Sequence, residues 1–115
     1  MKLVYLGSPD AAVKPLRALV RSGHEIVLVV SQPDRKRGRG SALVPSPVKA
    51  AALELGLPVT DQVLDVLAAV NVGAELGVVV AFGQLIRKPL LDALPFINLH
   101  FSLLPRWRGD RKSVV

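Results

Sequence analysis

Glu25-Ile26-Val27-Leu28-Val29-Val30 is a run in which apolar side chains follow one another without a polar residue between them. A strand with one wet face alternates apolar with polar. An unbroken β-branched run suits a parallel strand covered by helices on both faces. Leu76-Gly77-Val78-Val79-Val80-Ala81 repeats the pattern. Lys2–Leu6, Pro58–Thr60 and Phe96–His100 predict three further strands, the first ended by the turn signal Gly7-Ser8-Pro9-Asp10. Between strands, Val13, Leu16, Leu19 and Val20 recur at helical spacing, with Gly23 at the place where helices stop. Asp10 is a candidate cap for that helix, and Pro15, lacking an N–H, belongs in its first turn. Ser46 and Pro47 predict an N-cap and first position for a helix over Val48–Leu55, closed by Gly56. Val63–Val70 is helical by period. Alternating strands and helices imply an α/β fold with a Rossmann-like open, mostly parallel sheet.

Composition narrows the function. Half of the 115 residues are hydrophobic and 21% are charged, which excludes a disordered chain. The apolar runs fall far short of the ~20 residues of a membrane helix, and the N-terminal run is too brief for a signal peptide. With no cysteine, disulfides, thiolate metal sites and cysteine nucleophiles are excluded, and a cytoplasmic location is expected. Fifteen Lys and Arg against nine Asp and Glu give +6, so nucleic acid or phosphorylated ligands are plausible partners. The cations cluster at Arg35, Lys36, Arg37 and Arg39, and again at Arg106, Arg108, Arg111 and Lys112.

Three segments could carry chemistry. Gly7-Ser8-Pro9-Asp10 sits where a dinucleotide fold places its phosphate loop, but with one glycine and a proline it reads as a strand-to-helix turn. Gln32–Pro47 is long for a connection in a compact α/β unit. Its four cations between glycines could follow a phosphodiester backbone or simply form a solvated mobile loop. Lacking an aromatic, the segment would position nucleic acid rather than read bases. Asn98 and His100, two apart at the end of a presumed strand, leave the same face while Leu99 turns away. An amide donor beside an imidazole suits a reaction through a tetrahedral oxyanion; the alternative is a buried pair satisfied by backbone. His24 reads as structural.

Taken together, these segments resemble the N-terminal part of the methionyl-tRNA formyltransferases, within the folate-dependent formyltransferase family. The match lies in Gly7-Ser8-Pro9-Asp10, Ser31-Gln32-Pro33-Asp34-Arg35, Gly38-Arg39-Gly40, Pro45-Ser46-Pro47-Val48-Lys49, Val79-Val80-Ala81-Phe82-Gly83, Asn98-Leu99-His100 and Ser102-Leu103-Leu104-Pro105-Arg106-Trp107-Arg108-Gly109, in family order over residues 1–109. The resemblance implies formyl transfer from 10-formyltetrahydrofolate, a co-substrate, to the amino group of methionyl initiator tRNA, with no metal. It implies catalytic roles for Asn98 and His100, folate contact by Ser102, Leu103, Leu104 and Pro105, and tRNA contact by Arg35, Lys36, Arg37 and Arg39, above all Arg39. Sister enzymes that formylate glycinamide ribonucleotide or UDP-sugars share the Asn-x-His and Ser-Leu-Leu-Pro features. Gln32–Lys49 favours the tRNA enzyme. A non-catalytic tRNA-binding fragment and an inert translated fragment are the alternatives from other classes.

Departures are small until the end: Ala11 stands where the family has an aromatic, and Ser8 where it has threonine. Residues 1–109 are then expected to be an incomplete formyltransferase N-terminal domain. Asp110-Arg111-Lys112-Ser113-Val114-Val115 fits no family feature and reads as the translation of GAT-CGG-AAG-AGC-GTC-GTG, a sequencing adapter, so 110–115 is expected to be a non-native tail. Asp110 is not a substitute for the family's third catalytic residue, a downstream aspartate. The 115 residues alone are therefore expected to be inactive, the full-length protein monomeric, and apolar surface beyond the last strand left for later elements to cover.

Overall fold

The computed structural model describes residues 1–36, 42–84 and 86–99. Five strands make one sheet: β1 (Lys2–Gly7), β2 (Glu25–Val30), β5 (Val59–Thr60), β6 (Leu76–Val80) and β7 (Phe96–Asn98), in spatial order β5-β2-β1-β6-β7. All four pairings are parallel. Helices α1 (Val13–Arg21) and α2 (Pro47–Glu54) cover one face; α3 (Asp65–Asn71) and α4 (Lys88–Ala93) cover the other. Two further strands, β3 (Arg35–Lys36) and β4 (Leu43–Val44), pair with each other as a separate antiparallel ribbon.

The unbroken apolar runs are explained by this layering. Along β1, Leu3 and Tyr5 join the core under α1 and α2, while Val4 and Leu6 join the core under α3 and α4. Val78 and Val80 of β6 take the first face and Val79 the second. In β2 the register slips by one residue, so that Leu3 pairs Ile26 and Val4 pairs Leu28. Val27 and Leu28 consequently both serve the α3–α4 face, and the alternation resumes at Val29.

Each of the first three helices stops by the same hydrogen-bond pair. After α1, Gly23 N–H donates to Val20 O (3.1 Å) and His24 N–H to Leu19 O (3.3 Å), with Gly23 at φ +91. A side chain is disfavoured in that left-handed conformation, which is why glycine marks the stop. Gly56 and Gly73 end α2 and α3 with the equivalent bonds. His24 thus stands at a helix-to-strand turn, in keeping with a structural role. At the other end of α2, Ser46 Oγ accepts from the Lys49 N–H (3.0 Å) and Pro47 opens the helix, as its sequence predicts.

Several boundaries differ from the sequence expectation. Asp10 does not cap α1; it begins a 3-10 turn, Asp10–Ala12, that precedes the helix, and Pro15 does lie in the first turn. The third helix starts at Asp65 because Val63 and Leu64 form a turn, and β5 and β7 are shorter than predicted. The Gln32–Pro47 segment is not simply a loop, since Arg35 pairs Val44 and Lys36 pairs Leu43. Helix α4 carries no period long enough to be seen in sequence, and Leu90 is its one buried side chain.

Tyr5, the single tyrosine, is fully buried and donates its hydroxyl to Ala12 O at 2.6 Å. Burial pushes its ionisation well above the ordinary value. Below about pH 10 folded and unfolded chains both keep this proton, and the group contributes no pH dependence. Above that, only unfolded chains release it, so stability falls as pH rises. Urea denaturation at pH 8 and pH 11 is expected to show this loss, and Tyr5→Phe to remove part of it. An equal loss in the variant would mean that other groups carry the whole effect.

Candidate active site

Because every strand of the main sheet points the same way, all carboxyl ends lie along one edge. In open α/β sheets ligands gather there, at the point where strand order reverses. Here that point lies between β1 and β6, whose last residues, Gly7 and Val80, are register partners. A Cβ built on Gly7 would lie 2.7 Å from Val80 O, so glycine lets the two strand ends close together. After β6 the chain turns through Ala81 at φ +50, a left-handed position that costs a non-glycine residue roughly 1–2 kcal/mol.

The turn after β1 is structural rather than a phosphate cradle. Ser8 is buried; its Oγ accepts from Gln32 N–H (3.1 Å) and its carbonyl from Val48 N–H (3.2 Å). Ser31, just beyond β2, lies 2.5 Å from Ser46 Oγ and 3.4 Å from Ser8 Oγ, and all three serines are buried. Sequence reasoning found Ser46 as a cap but not this cluster. The available signal was a small hydroxyl residue following each of two adjacent strands.

Asn98 ends β7, pairs with Val79 and is exposed on this edge. By strand alternation it shares a face with Phe96, which packs toward α3 and α4. Leu99 turns the opposite way, onto the α1–α2 core, as expected. His100, Ser102, Leu103, Leu104 and Pro105 lie outside the described residues, as do Arg37 and Arg39. Arg35 and Lys36 are exposed on the ribbon, which leaves this edge directly after β2. Beneath the ribbon, Lys49 Nζ donates to Asp34 Oδ1 at 2.8 Å. A polar cavity of about 290 Å³ opens beside this pair, lined by Ser31, Gln32, Lys49, Val59, Thr60 and Asp61.

A second hollow is apolar. About 810 Å³ in volume, it lies between α1 and Leu99, lined by Ala11, Pro15, Ala18 and Leu19 among others. Ile97 is 41% exposed. Among the described residues, Ile97 and the Leu99 hollow put apolar surface at the β7 edge.

The pattern of the formyl transferase family matches residues 1–114. The chain belongs to the formyl transferase family. Among curated relatives, the methionyl-tRNA formyltransferase of Heliobacterium modesticaldum is 55% identical over 115 residues, covering 95% of this chain and 36% of that protein. The enzyme of the same name from Clavibacter sepedonicus is 53% identical, covering 95% of this chain and 38% of that protein. This formyl transferase chain therefore spans little more than a third of the length of these relatives. Among solved structures, glycinamide ribonucleotide transformylase 1 from Symbiobacterium toebii superposes with a TM-score of 0.58 at 20% identity, covering 95% of this chain and 55% of that chain. Phosphoribosylglycinamide formyltransferase from Campylobacter jejuni gives 0.57 at 20% identity, covering 96% and 63%. At that identity the likeness is one of fold, and it agrees with the Rossmann-like parallel sheet.

Proposed function

We propose that this chain is the N-terminal part of a cytoplasmic enzyme that transfers a formyl group from 10-formyltetrahydrofolate to the amino group of methionyl initiator tRNA. The observation that carries the reading is the shared edge: an exposed amide, Asn98, and an exposed basic ribbon, Arg35–Lys36, both project from the carboxyl ends of one parallel sheet. The names of the curated relatives, methionyl-tRNA formyltransferases, support a formyl transfer with methionyl-tRNA as the acceptor. As the neutral methionyl amine adds to the formyl carbon, negative charge gathers on the formyl oxygen. The Asn98 N–H donates to that oxygen, and His100 does the same and moves a proton. The bond from the formyl carbon to the folate nitrogen then breaks, and that nitrogen takes up a proton. Ser102–Pro105 contact the folate, and Arg35, Lys36, Arg37 and Arg39 contact the tRNA. The family's downstream aspartate belongs to the longer protein, which acts as a monomer, and the tail 110–115 is not native to it.

Residues 1–109 joined to the remainder of the Heliobacterium modesticaldum relative supply the test. This chimera is expected to formylate methionyl initiator tRNA, and the 115-residue chain alone to give no product. Turnover on glycinamide ribonucleotide but not on tRNA would assign the chain to a sister activity. Replacing Arg35 and Lys36 together by alanine is expected to weaken tRNA binding by the chimera. The slope of log K against log salt should flatten by roughly 1.4–1.8, about two counterions' worth. An unchanged slope would remove the ribbon from the tRNA interface.

A further inference from the structure

The ribbon β3–β4 poses a mechanical problem. Among the described residues its ladder is two residue pairs long, and a two-stranded ribbon has little stability of its own. Whatever direction it holds must be set at its root, where the chain leaves through Ser31–Asp34 and returns through Pro45–Lys49.

Two bridges cross that root. Ser31 Oγ meets Ser46 Oγ at 2.5 Å, and Lys49 Nζ donates to Asp34 Oδ1 at 2.8 Å. Ser8 secures the outgoing arm to the end of β1 by accepting from the Gln32 N–H at Oγ, and the returning arm by accepting from the Val48 N–H at its carbonyl. The two charges are each badly sited by local electrostatics. Asp34 puts a carboxylate beside Arg35 in a cationic segment, weakening attraction to phosphate. Lys49 puts a cation in the first turn of α2, against the helix dipole. Each position makes sense through the other, as a tie between the arms. The side chains are 31% and 33% exposed, so the pair is not a core element on which folding depends.

We infer that Asp34 and Lys49 are positioning residues that clamp the root of the basic ribbon, so that its cations meet an RNA backbone in one orientation. The inference rests on the reading of the ribbon as a tRNA contact. It makes a prediction opposite in sign to charge alone. Asp34→Asn removes a negative charge, so simple attraction requires tighter RNA binding; a clamp requires weaker binding.

The test uses the chimera described above and fluorescently labelled initiator tRNA, titrated over a series of salt concentrations, with a thermal melt of each variant. Asp34→Asn is expected to raise Kd about three- to five-fold, the range of a partly exposed ion pair. It should also flatten the salt slope while the melt stays within a few degrees. The exchange Asp34→Lys with Lys49→Asp keeps the net charge and is expected to restore the original Kd to within about two-fold. Binding by Asp34→Asn that is equal or tighter overturns the clamp, as does an exchange that fails to restore affinity while its melt is unchanged. If the unaltered chimera shows no salt-dependent tRNA binding, the tRNA reading itself falls and the clamp with it.

Discussion

Replacing Asn98 by alanine in the chimera is expected to lower kcat for formyl transfer by about 10²–10³, with little change in KM for the tRNA. The amide donates to an oxygen whose charge develops only in the transition state, so its loss acts on the barrier, by roughly 3–4 kcal/mol, rather than on binding. Folding should be indifferent. Asn98 is exposed at the last residue of an edge strand, where a surface substitution typically stays within about 0.5 kcal/mol. Asn98→Asp is expected to be at least as damaging, since a carboxylate would face the developing negative charge. Single-turnover formylation with both substrates saturating, beside a thermal melt, separates the effects. A kcat within about three-fold of the unaltered chimera would remove Asn98 from the reacting centre.

The largest stability effect is expected at Gly7. Its Cβ would stand 2.7 Å from the backbone oxygen of Val80 and 3.1 Å from the Ala12 side chain. A carbonyl oxygen in a strand ladder cannot swing aside, so β1 and β6 must separate. Overpacking of this kind costs about 1–3 kcal/mol, and contact with backbone belongs at the upper end. Glycine-to-alanine exchange also gains about 0.4–1 kcal/mol by restricting the unfolded chain. The clash wins, leaving Gly7→Ala about 2 kcal/mol less stable, a fall of on the order of 10 °C in Tm. Gly83→Ala is the control on the same edge. Among the described residues its Cβ would meet only the Gln32 side-chain amide, at 3.2 Å, which can rotate away. That variant should melt close to the unaltered chain. Equal stability of the two variants would show that the β1–β6 approach has slack.

Much of the fold was legible because it is local. Ser46 followed by Pro47 announced α2, and Gly23 and Gly56 announced the stops of α1 and α2, since each device works within a few residues. The runs Glu25–Val30 and Leu76–Ala81 announced strands covered on both faces. Helix α4 escaped because six residues with one buried leucine show no period. The ribbon escaped because its described strands, Arg35–Lys36 and Leu43–Val44, are too short for alternation to register. At the candidate site, Asn98 was legible as an amide two residues before His100 at the end of a predicted strand.

What the sequence alone determined, then, is an α/β chain of buried parallel strands, the cap of α2 and the stops of α1 and α2, its basic segment and a candidate amide at a strand end. Only the tertiary structure decided that β6 returns to the far side of β1, so that Gly7 and Val80 become partners. It likewise decided that Ser8, Ser31 and Ser46 meet, and that Asp34 finds Lys49. The division has a physical cause. Caps, stops and periods are satisfied by neighbours a few residues away, whereas these contacts join residues 15 to 73 positions apart. They exist only once the crossovers have brought the strand ends to one edge.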